Sequence, residues 1–423
     1  MTKYTFNQKI FDSIIILLLI LSTGGLLFVY NRNFVSITFF ILLAVGVFFS
    51  RYKYSKALVR SVLLSVFLVV FLGLFNYYFA IVEQTENKYL FHFLTLLISS
   101  FTVLHFLNNR TKEILLDRLY VVLKLVSFHA AINFIIYFFI QNNLTVITST
   151  YHECETFANL FFYTPSKAGG IGNIFGIEFC RNQGLFWEPG ILQIYLNILF
   201  FLEAFIYKKT RWLLFFISII ILTTYSTTGI ALLLLQFFFY IKDLFKKNKL
   251  LAPIFLLVII PVYLIFNVNV DAKIKGERES SFQKRMFDFT QPLFIAIEHP
   301  ITGVGLDLFQ FQNFRKEFYF SSPIVLGINS FLGIEGKIEV TDKGSSNSVM
   351  FLLAGTGFPT FIILMYMLFN QQIVQKKRWL WILIIMISVM SEPLLLRPFF
   401  FMFIVSGLTG FFYKITSHRD YLL

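Results

Sequence analysis

Three short segments hold most of the residues whose types and spacing could do chemistry. The first is Arg181-Asn182-Gln183-Gly184-Leu185-Phe186-Trp187-Glu188-Pro189-Gly190, which runs straight into an apolar stretch. Pro189 suits the first turn of a helix, where a missing N–H costs nothing. Glu188 therefore stands at a helix N-terminus. There it either caps the helix and complements its dipole, with Arg181 pairing to it or solvating the loop, or serves as a general base beside a phosphate-binding guanidinium. The second segment is Glu298-His299-Pro300-Ile301-Thr302-Gly303-Val304-Gly305, with Arg285 upstream. Its Pro and paired Gly predict a tight turn whose backbone N–H groups could face an anion. An ordinary turn and a structural His are the plainer reading. The third is Gly344-Ser345-Ser346-Asn347-Ser348, followed by Ala354-Gly355-Thr356-Gly357. An N-cap and a small-residue helix contact would explain it equally well.

The elements that must position these residues are membrane helices. Of 423 residues, 57% are hydrophobic and 14% charged, and mean hydropathy is +0.73. The apolar residues come in runs of about 20, the length a helix needs to cross a bilayer. The alternation of a β-barrel is absent, so the fold class is all-α, a polytopic helical bundle. Spans are expected near 10–30, 34–50, 58–81, 89–107, 119–140, 188–207, 212–225, 228–241, 250–268, 347–369, 379–391 and 397–414, a count of about 10–12. The seventh and eighth are short and divided at Tyr225-Ser226-Thr227-Thr228-Gly229.

The net charge of +13 invites a nucleic-acid reading, but its placement excludes one. With the N-terminus in the cytoplasm, most of the 36 basic residues fall on inward segments, among them Lys53, Arg60, Lys208, Lys209, Lys246, Lys376 and Arg378. The short outward connections carry Arg32, Lys88 and Arg397 alone. That bias sets the orientation, with both termini cytoplasmic. Five segments follow: helices over 1–140, an outward loop at 141–187, helices over 188–268, a large outward loop at 269–346, and helices over 347–423. In the second loop, Met286, Phe289, Leu293 and Ile297 fall at helical spacing and predict an amphipathic helix resting on the membrane or the bundle. The spans carry almost no polar residues in mid-membrane, which counts against a transporter.

Cys154 and Cys180 share one outward loop, where a disulfide is possible but not dictated by sequence. His152-Glu153-Cys154-Glu155 has no recognised ligand spacing, so it reads as a solvated polar stretch and no metal site is expected. No Asp-x-Asp pair marks a metal–nucleotide-sugar site either, and no cofactor is expected.

Taken in order, Arg-x-x-Gly-x-x-x-Glu-Pro-Gly opening a membrane helix, Arg285 with His-Pro-Ile-Thr-Gly-Val-Gly, and then Ser-Asn and Ala-Gly-Thr-Gly resemble the O-antigen polymerase and ligase superfamily. The resemblance covers about residues 180–370 in motifs and the whole chain in topology. It implies a GT-C-like bundle of the cytoplasmic (inner) membrane, acting on polyprenyl-pyrophosphate-linked saccharides at the outer face. A chain-length regulator and a flippase are the candidate partners. Glu188, Arg181 and Arg285 would be catalytic; Arg278, His299, Gly303, Gly305, Asn347 and Arg397 would bind substrate. Ser346 stands where ligases carry an acid/base His, and Gly355 where an acidic residue is common, while Asn347 is retained. That departure favours a polymerase, which moves a growing glycan onto a new lipid-linked unit. The alternatives are ligase-type transfer to another acceptor, a lipid-linked oligosaccharide transporter, and a scaffold of an envelope-assembly complex.

Overall fold

The computed structural model describes residues 6–49, 54–107, 112–149, 152–165, 171–174, 177–245, 260, 262–267, 270, 279–321, 327, 330 and 345–419. Six helices open the chain: α1 (Phe6–Gly24), α2 (Leu26–Tyr30), α3 (Arg32–Phe48), α4 (Lys56–Phe79), α5 (Glu86–Leu107) and α6 (Lys112–Ile140). Five short strands follow: β1 (Thr145–Thr148), β2 (Glu153–Phe157), β3 (Phe161–Tyr163), β4 (Ile171–Ile174) and β5 (Ile177–Cys180). Helix α7 (Pro189–Phe201) continues as a π-helical turn over Leu202–Tyr207, before α8 (Arg211–Thr223) and α9 (Thr227–Phe245). Among the described residues there follow α10 (Glu279–Glu298), α11 (Leu308–Ser321), α12 (Ser348–Phe369), α13 (Arg378–Ser391) and α14 (Pro398–Arg419).

Among the described residues, eight helices are long and apolar enough to cross a membrane, and α3, α8 and α13 are shorter apolar helices. The chain is thus a multi-pass, helical membrane protein. Eleven of the expected spans have a helix each. Residues 250–259, 261 and 268 of the remaining one lie outside the described residues, as do Lys273, Lys275, Glu277 and Arg278. The first expected span is interrupted at Gly25, where α1 ends and α2 begins. The break at Tyr225 is real: this residue has φ 47° between α8 and α9, a left-handed conformation rarely adopted by a bulky side chain.

By compactness the chain forms two units. The first comprises Met1–Phe39, Glu113–Gly276 and Lys376–Ser388. Its core is α7, every residue of which is buried. Gly229 lets α9 approach α7 closely: a Cβ there would meet the Gln193 side chain at 2.8 Å. The strands of this unit form an antiparallel sheet, β1-β2-β3, and a separate β4-β5 hairpin. Ile147 faces Cys154 in the first and Ile171 faces Cys180 in the second. The stretch read as solvated is therefore half-buried sheet, and Cys154 is 0% exposed. Both cysteines are free thiols rather than a disulfide.

The second unit comprises Phe40–Lys112, Glu277–Gln375 and Val389–Leu423. Its helices pack through small residues, as bilayer helices do when backbone proximity rather than hydrophobic exclusion holds them. A Cβ on Gly407 would lie 2.0 Å from the Met367 carbonyl, so α14 and α12 touch backbone to backbone. Ser61 of α4 hydrogen-bonds Thr416 of α14 at 3.2 Å. Such contacts contribute about 0.6 to 2 kcal/mol each in membranes.

Polar groups inside the spans are more numerous than the sequence suggested. Gln193, Asn197 and Gln236 are fully buried in unit 1. Asn197 Nδ2 donates to the Gly229 carbonyl (3.2 Å), and Gln236 Nε2 donates to Asn197 Oδ1 (2.8 Å). Glu203 is 1% exposed and accepts the Tyr120 hydroxyl at 2.6 Å. Burial without partners would cost several kcal/mol each, and the amides of α7 and α9 offset much of that by bonding one another, although Gln236 Oε1 has no partner. Their scarcity in composition hid this concentration on one helix pair.

Candidate functional site

In unit 1 the Arg181–Gly190 segment is held by backbone pairing on both sides. Leu26 N–H donates to the Leu185 carbonyl (2.9 Å) and Trp187 N–H to the Gly24 carbonyl (3.4 Å), so the break between α1 and α2 is the segment's docking strip. Asn182 is 2% exposed and donates from Nδ2 to the Ala130 carbonyl (2.8 Å), while its N–H donates to Thr223 (3.0 Å). Gly184 turns the chain at φ 57°, with its N–H on Asn182 Oδ1 (3.2 Å). Half-buried Arg181 donates Nε–H to the Thr224 carbonyl at 3.2 Å, at the α8–α9 break.

Glu188 is the N-cap residue of α7, with extended backbone and Pro189 in the first turn. Its side chain makes no capping hydrogen bond and is exposed. Capping is thus not what the carboxylate does here; it stands at the positive end of a buried helix, where a negative charge is favoured.

In unit 2, three of the sequence-identified residues are joined by one junction. Arg285, half-buried, lies on α10, one turn before Asp288. Asp288 Oδ2 accepts both the N–H (2.8 Å) and the hydroxyl (2.6 Å) of Ser346. Asn347, next in the chain, caps α12 by accepting the Met350 N–H at 3.1 Å. Ser348 donates its hydroxyl to the Val389 carbonyl (2.6 Å) and accepts the Leu395 N–H (3.1 Å). Arg397 follows in that same turn, its N–H on the Leu394 carbonyl and its guanidinium 5.6 Å over the Phe91 ring. The Ser-Asn run thus joins the helix of Arg285 to the turn of Arg397.

The Gly303–Gly305 turn does something other than open its amides to an anion. Val304 N–H donates to Ala354 (3.0 Å) and Gly305 N–H to Gly355 (2.8 Å), while Gly303 N–H closes on His299 (3.2 Å). Gly303 and Gly305 have φ 64° and 97°, and added Cβ atoms would meet the Ala354 carbonyl at 2.4 Å and Gln84 at 2.1 Å. Across the contact, Gly357 breaks α12 at φ 71°, and its Cβ would lie 2.6 Å from the Pro300 carbonyl. The Gly-Val-Gly and Ala-Gly-Thr-Gly motifs are the two halves of one backbone contact. His299 sits at the end of α10, half-buried and edge-on to Phe314 at 5.6 Å.

Several residues of this site are invisible to motif reading. Asn76 donates to the Thr302 (2.7 Å) and Gly355 (2.8 Å) carbonyls, and Tyr89 donates to Asn76 Oδ1 (2.6 Å). Gln84 Nε2 donates to the Val304 carbonyl (2.9 Å) and Gln84 Oε1 accepts the Asp307 N–H (3.0 Å). These residues come from α4, α5 and their connection, over 200 positions upstream of the turn. Arg315 of α11 is 2% exposed and paired with Asp288 at 2.9 Å. Asn76, lying near the end of an apolar run, was the available signal, because a buried amide in such a run needs a partner.

The predicted amphipathic helix exists as α10, but its inward face differs from the expected stripe. Phe287, Asp288, Gln291 and Ile295 are buried, whereas Phe289 and Ile297 are 41% and 52% exposed. Leu293 packs inward, against Ala296, Met350 and Leu353, and the Met286 side chain lies outside what the structure describes. Buried polar Asp288 and Gln291, paired with Arg315, displaced the apolar stripe from the core. Arg278 lies outside the described residues, and among the described residues no cluster of His, Cys, Asp or Glu could hold a metal.

Residues 212–365 match the O-antigen ligase family model. That stretch contains Arg285, the His-Pro-Ile-Thr-Gly-Val-Gly turn, the Ser-Asn junction and the Gly357 kink, and it leaves out Arg181, Glu188 and Arg397. The match spans less than half the chain and agrees with the O-antigen polymerase and ligase superfamily that the motifs resemble. It supports glycan processing at a membrane. Among curated proteins and among solved structures, nothing matches the chain.

Proposed function

We propose that this protein polymerises polyprenyl-pyrophosphate-linked saccharide units on the outer face of the cytoplasmic membrane. The acceptor sugar's hydroxyl oxygen attacks the anomeric carbon of the donor glycan. The bond from that carbon to the lipid pyrophosphate breaks, the electron pair leaves with the pyrophosphate, and the hydroxyl proton passes to the Glu188 carboxylate. Pyrophosphate is a good leaving group once its charge is compensated, so no strong protein acid is required. Arg181 and Arg285, with Arg278 and Arg397, would hold the phosphates of the donor and acceptor lipids through charge-assisted hydrogen bonds. Asn347 and His299 would contact sugar, and Gly303 and Gly305 would shape the turn that supports them. No metal enters this scheme.

The observation that carries the polymerase reading over ligase transfer is Ser346. At the position where ligases hold an acid/base His, this chain has a hydroxyl committed to Asp288. No imidazole is available there to deprotonate a separate acceptor. The test compares Glu188→Ala and Arg285→Ala with the parent protein in liposomes supplied with the lipid-linked repeat unit. Loss of elongation in both, with unchanged elution as a folded species, is the expected result; full elongation in either removes that residue from the chemistry.

A further inference from the structure

We propose that Asp288 and Arg315 form a buried latch that positions Arg285 against the Ser345–Ser348 junction, so that Asp288 is a positioning residue for transfer. The proposal rests on the polymerase reading of this same site. Asp288 divides its carboxylate between two tasks. Oδ1 accepts from Arg315 Nη2 at 2.9 Å, and Oδ2 takes both donors of Ser346. Arg315 is engaged through each of its three guanidinium nitrogens. Its Nε donates to Gln291 Oε1 and Nη1 to Gln312 Oε1 (3.3 Å), and its guanidinium lies 4.6 Å from the Phe287 ring centre and 5.4 Å from that of Phe311. Gln291 returns a bond from Nε2 to the Arg315 carbonyl at 2.7 Å.

A pair only 2% exposed on each side gains little stability over a hydrophobic core, because desolvation offsets the attraction. What such a pair does supply is a single geometry. Asp288 lies three residues after Arg285 on α10, so the two side chains share a face of the helix. The same carboxylate fixes the residue before Asn347. Any rotation of α10 that moved Arg285 would pull Asp288 from Ser346 and strand Arg315 in the core. The latch therefore couples the setting of one phosphate-binding guanidinium to the mouth of α12.

The experiment is a double-mutant cycle on the full-length protein in liposomes, with the lipid-linked repeat unit as substrate. Asp288→Asn keeps the shape but not the charge, and lowers kcat about a hundredfold, as a small misplacement of a binding group does. KM changes by less than about threefold. Exchange of the Ser346 amide, read by mass spectrometry, rises at least about tenfold as its acceptor weakens. In an Arg285→Lys background the same change costs less than about twofold, because the residue it positions is already impaired. Should Asp288→Asn not purify as a folded protein, Ser346→Ala, which keeps the amide bond, takes its place in the cycle. Additive losses, or wild-type turnover in Asp288→Asn, overturn the latch while leaving the polymerase reading intact. A parent protein that forms no elongated product removes that reading, and the positioning role falls with it.

Discussion

At the scale of residues, the chemistry rests on groups whose surroundings explain their state. Glu188 is exposed and does no capping, so Glu188→Gln keeps the fold while removing the base. The expected outcome is an unchanged thermal midpoint in detergent and a loss of elongation of about 10²-fold or more, read as product length against time. Cys154 and Cys180 behave as small buried apolar residues. Burial raises their thiols to about 11 and about 12. A thiol raised in the folded state stabilises the fold below its unfolded value of about 8.5, and that contribution is lost as pH rises through the folded values. Maleimide labelling of the native protein at pH 8 should therefore be slow and become rapid on denaturation. Rapid native labelling would contradict the burial. The sequence placed these cysteines in one loop, but the strands that bury them were not legible. Glu153-Cys154-Glu155-Thr156-Phe157 alternates in burial as a half-buried strand does, but Thr145-Val146-Ile147-Thr148 does not, and the Thr and Glu content of both reads equally as polar loop.

At the scale of elements, glycines and one buried ion pair decide how helices meet. Gly303 has φ 64° and a carbonyl 2.4 Å from where a Cβ would stand. Gly303→Ala should cost about 1 to 3 kcal/mol, measured as a lowered thermal midpoint, with elongation reduced as the turn leaves α12. The paired glycine motifs were legible as motifs, but not that they face each other, since that contact joins segments some 50 residues apart. For the α10–α11 contact, burial holds the Arg315 guanidinium below its ordinary pKa, with Asp288 opposing the shift. Arg315→Met leaves Asp288 buried without a counter-charge and should destabilise by about 3 to 5 kcal/mol. Replacing Asp288 as well, by Leu, should restore much of the thermal midpoint but not the activity. Apolar periodicity pointed to the other face of α10, because it cannot register a polar stripe that finds partners inside.

For the whole molecule, apolar run length and the distribution of Lys and Arg carry most of the information, because membrane helices must satisfy their backbones internally. That is why the spans were legible, while the Arg315–Asp288 pair, the partners of Asn76 and the strands, which depend on tertiary contacts, were not. The positive-inside bias makes a further prediction about sidedness. A cysteine at Asn143, exposed after α6, should react with an impermeant maleimide added outside intact cells. One at Lys209, exposed before α8, should react only after permeabilisation. The reverse pattern would invert the topology and place Glu188 and Arg285 on the wrong side for an outer-face reaction.

Polymerisation of a lipid-linked unit can be read in a single reconstitution. Purified protein in liposomes receives the lipid-linked repeat unit alone, with no nucleotide sugar, no added metal and a chelator present. A polymerase makes a ladder of lipid-linked glycans spaced by one repeat unit. A single transfer onto a different acceptor, or no product from the correct repeat unit, would contradict polymerisation.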